Sequence, residues 1–188
     1  MADLYGSQDV TIRNDDGTKT VSISTDNSKE RLDVCSASSS HQKIIDQQRF
    51  FCWRYASGLA NGVNYDLAVV THATIKANMI FAIRWIATGR VEIYEGATLS
   101  NNGTALTTYN RDRNSATVGS TLFYHTPTVT ATGTLILGSI HPVGTDALSL
   151  MSDYDHHLIL KANTKYLIRM ASTSGSNSYT MLYDWYEV

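Results

Sequence analysis

The sequence predicts an all-β protein: an antiparallel β-sandwich preceded by a short N-terminal β-hairpin arm. Three observations carry this. Short segments of alternating apolar and polar residues recur along the chain, almost all of them punctuated by Gly, Asn, Asp or Ser. Only 17% of residues are charged, and the polar remainder is largely Ser, Thr and Asn, which suits the solvated face of a sheet. One stretch alone, 40–53, has apolar residues at helical offsets, and its aromatic end favours strand.

The first elements are Val10-Thr11-Ile12 and Val21-Ser22-Ile23, which flank Asn14-Asp15-Asp16-Gly17, a hairpin with an Asp-Gly turn. A third short strand over 29–34 adds Leu32 and Val34. Val10, Ile12, Val21, Ile23, Leu32 and Val34 then form one apolar face, with polar residues opposite. An isolated hairpin is marginal in water, so this face needs another surface to lie on. Residues 1–34 are therefore expected to be an attachment arm, and those six side chains its partner contacts. Ser36-Ala37-Ser38-Ser39-Ser40 places a linker at 35–40, with the sandwich body at 41–188.

Within the body, strand is expected from Arg49 onward, because Phe50, Phe51, Trp53 and Tyr55 favour sheet over the helical offsets of Ile44, Ile45, Gln48 and Phe51. Further strands are expected over 65–71, 79–88, 90–95, 105–109, 121–125, 128–132, 134–137, 158–161, 165–171 and 179–186. The 79–86 run is apolar on both faces, as in a covered central strand, with Phe81, Ile83 and Trp85 sharing one of them. Val91, Ile93 and Ala97 are expected to face one way, with Glu92, Tyr94 and Gly96 the other. Asn102-Gly103 is expected to supply the tight turn of a hairpin to 105–109.

The chain has 188 residues, 43% of them hydrophobic, enough for one sizeable core with an arm. Net charge is −2, from 15 basic and 17 acidic residues, and no basic cluster of the size phosphate neutralisation needs is present. No nucleic-acid partner is expected. The start lacks the charged and apolar regions of a secretory signal, and the longest apolar-rich stretch, 77–87, is too short for a bilayer. The expectation is a soluble product of a cytoplasm with no membrane partner. Cys35 and Cys52 are then expected as reduced thiols, Cys52 in the core.

No reaction is legible. There is no G-x-S-x-G elbow, P-loop or G-x-G-x-x-G, and Glu92 and Glu95 point to opposite faces of a strand. Strand alternation would put Asp153, Asp155 and His157 on one face, a carboxylate–imidazole set that could hold a metal. No matching ligand pair lies elsewhere, so the polar-loop reading is preferred and neither metal nor cofactor is expected. His72, His125 and His141 read as ordinary single histidines.

Arg111-Asp112-Arg113 is the densest charged patch of the body, either a solvated loop or a salt-bridge knot between subunits. Tyr179, Tyr183, Trp185 and Tyr186 would line a half-exposed last strand, a subunit interface or a glycan-stacking groove. A closed cyclic oligomer would cover such aromatic surface. A homotrimer is expected, with Arg111, Arg113, Tyr183 and Trp185 as interface residues.

Three separated runs resemble a family of structural proteins of tailed bacteriophages. They are 91–115, which includes Glu92-Ile93-Tyr94-Glu95-Gly96-Ala97-Thr98 and Tyr109-Asn110-Arg111-Asp112-Arg113-Asn114-Ser115; 158–169; and Trp185-Tyr186-Glu187. Asp112 stands where the family pattern carries Asn. The resemblance spans roughly 41–188 and brings no catalytic motif. It implies a jelly-roll-like sandwich and a place in the virion, often in the head. Taken with the arm that cannot fold alone and the lack of an active site, the expectation is a capsid decoration (cement) protein that binds the outer surface of the major capsid protein shell and stabilises it. The alternative is a tail-associated receptor-binding or carbohydrate-binding module with a glycan ligand.

Overall fold

The computed structural model describes residues 44, 46–85, 87–141 and 158–187, with the backbone alone for Arg84, Trp85 and His141. The chain divides into two units, Met1–Ala37 and Ser38–Val188, and the described residues all belong to the second. The expected arm, with Val10, Ile12, Val21, Ile23, Leu32 and Val34, lies outside them, as do Cys35 and the Asp153, Asp155 and His157 set.

The described residues form thirteen strands. The first four are β1 (Arg49–Leu59), β2 (Asn64–Val70), β3 (Ala77–Trp85) and β4 (Gly89–Glu95). Five shorter ones follow: β5 (Thr98–Asn101), β6 (Thr104–Ala105), β7 (Tyr109–Asn110), β8 (Leu122–His125) and β9 (Thr128–Ala131). The last are β10 (Thr134–His141), β11 (Leu158–Leu160), β12 (Lys165–Ser172) and β13 (Asn177–Glu187). One sheet has the order β11-β3-β13-β1-β7, another β10-β4-β12-β2-β8-β6, and β5 pairs with β9 in a two-stranded ribbon. Strands β1 to β4 alternate between the two large sheets. Strands β10 to β13 return beside them, giving β1-β13-β3-β11 against β2-β12-β4-β10. That winding is a jelly roll, and every pairing in it is antiparallel.

The core lies between the two large sheets. Cys52, Met79, Phe81, Ile83, Met181, Tyr183 and Trp185 of the first meet Leu67, Val69, Ile93, Phe123, Ile168 and Met170 of the second. Phe123 sits between Tyr183 and Trp185, with ring centroids 5.1 and 4.6 Å away. Fully burying side chains of this size contributes about 1.5–3 kcal/mol each. The expected central strand is β3, between β11 and β13, with Met79, Phe81 and Ile83 buried and Ile80 and Ala82 half-buried on the outer face.

Two local expectations are corrected. Val91 and Ile93 face the main core, but Ala97 packs with Ala68, Leu99, Leu167 and Tyr94 on the opposite side of the same sheet. The cause is Gly96, at φ +75°. The amides of Gly96 and Ala97 both donate to the Lys165 carbonyl, at 2.9 and 3.0 Å, and this bulge flips the alternation. The same flip sends β5 over the outer face of the six-stranded sheet. The second correction concerns the expected hairpin. Gly103 has φ +95° as a tight turn requires, and its amide is capped by Asn101 Oδ1 at 2.8 Å. The turn joins β5 to β6, however, and these belong to different sheets. Residues 105–109 are no single strand: β6 pairs with β8, β7 with β1, and the chain crosses between sheets from one to the other.

Candidate functional site

The outer side of β1 carries Phe51, Trp53 and Tyr55, while Phe50 and Cys52 alternate inward. Phe51 is covered: Tyr109 lies 5.4 Å away and the Arg111 guanidinium sits 4.8 Å over its ring. Trp53 and Tyr55 are left 51% and 58% exposed. Their rings are 6.0 Å apart and within 14° of parallel. They stand where β7 has ended, since β7 pairs only with Phe50 and Phe51 of β1. Arg111 N–H donates to the Arg49 carbonyl on that side at 2.8 Å. Residues two apart in an antiparallel strand aim their main-chain groups at the same neighbour, so those of Trp53 and Tyr55 aim at this open edge.

A cleft of about 250 Å³ opens there, lined by Trp53, Arg54, Tyr55, Ala105, Leu106, Thr107, Tyr109 and His125. Arg54 is anchored by its Nε, which donates to the Tyr65 hydroxyl at 3.0 Å. Burial, and then the Arg54 charge, push the His125 pKa below its ordinary value. The cleft therefore has an aromatic wall, one fixed guanidinium, a histidine favoured in its neutral form and no carboxylate.

The expected interface residues separate. Tyr183 and Trp185 are both 0% exposed and cannot serve as a contact between subunits; β13 lies in the middle of its sheet, not at an edge. Tyr179 is buried as well, so Tyr179, Tyr183 and Trp185 line no surface groove of the kind weighed as an alternative for the C-terminal aromatics. Arg111 is committed within the chain, donating with Arg49 to the Asp184 carboxylate. Arg113 is exposed, its guanidinium 4.8 Å over the Tyr109 ring. The exposed pair, Trp53 and Tyr55, was readable as alternating aromatics. Its partners in the cleft were not, because they come from β6, β8 and the crossover between β6 and β7.

Residues 91–115 and 158–169 are joined side chain to side chain, while Glu187 ties the end of β13 to residues 120–121. Glu95 accepts from Lys161 Nζ at 2.6 Å and from the Tyr166 hydroxyl at 3.0 Å. The Lys161 hydrogen bond holds Glu95 below the usual carboxylate range, while burial pushes Tyr166 up to about 12. Lys165 Nζ reaches Asn102 Oδ1 at 3.0 Å. Glu187 accepts from Trp185 Nε1 at 3.1 Å and from the amides of Ser120 and Thr121 at 2.9 and 2.7 Å. Glu92, by contrast, meets Tyr94 and Arg90, so the two glutamates form no acid–base pair. Among the described residues no His, Cys, Asp and Glu group is placed to hold a metal.

Comparison with family models, with curated proteins and with solved structures finds no match to this chain.

Proposed function

We propose that this protein is a virion structural component of a tailed bacteriophage: a capsid decoration protein that binds the outside of the major capsid protein shell and stabilises it. One observation carries the reading. Two of the runs by which the chain resembles phage structural proteins, 91–115 and 158–169, are joined to each other within a jelly roll, an architecture found in capsid and lectin domains. Fold analogy alone does not give function. The specific weight comes from the resemblance of the runs at 91–115, 158–169 and 185–187 to such proteins. In this proposal residues 1–34 attach the protein through Val10, Ile12, Val21, Ile23, Leu32 and Val34, by apolar burial or by adding a strand to a capsid sheet. Assembly as a homotrimer would raise avidity, because the second and third arms bind at high effective concentration. With Tyr183 and Trp185 buried, the contact between subunits falls to other surface.

The test is co-sedimentation with undecorated shells. Full-length protein should saturate them, and protein lacking residues 1–34 should stay in the supernatant. A truncated body that binds with unchanged affinity would move attachment onto the sandwich. No binding by the full chain would end the decoration reading. Sedimentation equilibrium showing only monomer, with and without shells, would remove the trimer.

The exposed Trp53–Tyr55 pair favours a second reading, a carbohydrate-binding module associated with the tail. Binding to shells would exclude a purely tail-located role.

A further inference from the structure

The cleft at the open edge of β1 is not needed to build the sandwich. Trp and Tyr side chains normally place large apolar areas out of water, yet Trp53 and Tyr55 leave half or more of their surface exposed. Their near-parallel rings, 6.0 Å apart, steady one another and present a pre-formed aromatic wall. Across the open edge of β1 from it stand Arg54, which alternates to the inner side of the strand, and Thr107, Tyr109 and His125.

We propose that this cleft binds a saccharide bearing a carboxylate, with the sugar ring against Trp53 and Tyr55 and the carboxylate on Arg54. A sugar ring has apolar C–H faces and a polar rim, which match an aromatic wall flanked by hydrogen-bonding groups. The acidic class follows from charge. Among the lining residues Arg54 is a fixed cation, and no Asp or Glu offsets it. Tyr65 holds the Nε end of Arg54, so the guanidinium is oriented before a ligand arrives, and its terminal N–H groups suit a carboxylate. The volume of about 250 Å³ is below the ~300–1,000 Å³ of drug-sized pockets and fits one or two rings of a longer chain. This inference does not depend on shell binding and holds for a head or a tail protein.

The experiment uses the full chain and four probes: oligogalacturonate and a hyaluronan tetrasaccharide as acidic chains, cellotetraose and chitotetraose as neutral ones. Saturation-transfer NMR and tryptophan fluorescence read binding. The expected result is binding of at least one acidic probe, tighter than either neutral probe by tenfold or more. Trp53→Ala should abolish it and Arg54→Gln should reduce it to the neutral level, while Val118→Ala, at another exposed position, leaves it unchanged. Near-UV circular dichroism checks each fold, and Tyr55→Ala gives a second test of the wall should Arg54→Gln unfold. No binding by any probe at millimolar concentration overturns the proposal. So does binding that survives Trp53→Ala, or neutral sugars binding as well as acidic ones. Capture of an extended peptide on the β1 edge with no sugar binding would replace it with strand addition.

Discussion

Arg49 on β1 reaches diagonally across the ladder to Asp184 on β13, whose register partner is Phe51, with Arg49 Nε 2.8 Å from Asp184 Oδ1 and Nη2 3.2 Å from Oδ2. Arg111 adds a further donor to Oδ2. A carboxylate that is only 6% exposed on the outer face of a sheet is held there by two guanidiniums. Asp184→Ala should remove the carboxylate that the two guanidiniums share and leave their like charges close together. Breaking a fully buried pair costs about 3–5 kcal/mol, and the loss here should fall below that because the Arg111 side chain stays 33% exposed. Urea unfolding measures it. A change under about 0.5 kcal/mol would mean the triad is an ordinary surface contact.

Phe81 is 2% exposed and meets Tyr183 edge-on at 5.9 Å. Phe81→Ala should destabilise by about 3–5 kcal/mol, visible as a lowered urea midpoint with little change in slope. A loss below about 1 kcal/mol would put the ring outside the packed core.

Cys52 is fully buried, and burial pushes its thiol far above its ordinary pKa. In native protein at neutral pH it should resist a thiol reagent such as dithionitrobenzoate, and react at the rate of unfolding once denaturant is added. Rapid labelling of the native Cys52, read by mass spectrometry, would contradict the packing of β1.

Gly103→Ala should be costly although the site is a surface turn. A Cβ there would lie 2.2 Å from the His125 carbonyl oxygen, and φ is +95°. Loss of at least about 1 kcal/mol in thermal or urea unfolding is expected.

His125 gives a pH dependence with a defined sign. Its folded pKa lies below the ordinary value of 6.5, so between the two the unfolded chain takes up a proton that the folded chain does not. Stability should therefore fall as pH drops through about 6.5 and level off below the folded pKa. His125→Gln should flatten that part of the profile relative to the parent, and NMR titration of the ring should show the lowered midpoint. A raised midpoint would reverse the sign.

Much of the sandwich was legible because alternation survives folding. The segments around β1, β2, β4, β8, β9, β11, β12 and β13 were all readable from period-2 patterns. The strand β13 was readable too, but not that Tyr179, Met181, Tyr183 and Trp185, two apart, point inward rather than to a partner subunit. Its place in the sheet was not, because nothing local says that β1 and β3 flank it. Asn102-Gly103 likewise announces a reversal without saying which sheet receives the chain. The cleft was hidden for the same reason: it collects residues from around positions 54, 106 and 125, which only the topology brings together.

The position of β13 between β1 and β3 has a consequence for how the chain reaches this state. Arg49 and Asp184 are 135 residues apart, and neither β1 nor β3 has its shared neighbour until that long loop closes. Such non-local pairing puts folding in the slow range, milliseconds to seconds, typical of all-β chains. Until β13 inserts, two aromatic-rich strands present open edges to other copies of the same chain. The vulnerable moment for this protein is thus the interval before closure, and its yield on refolding should fall as concentration rises.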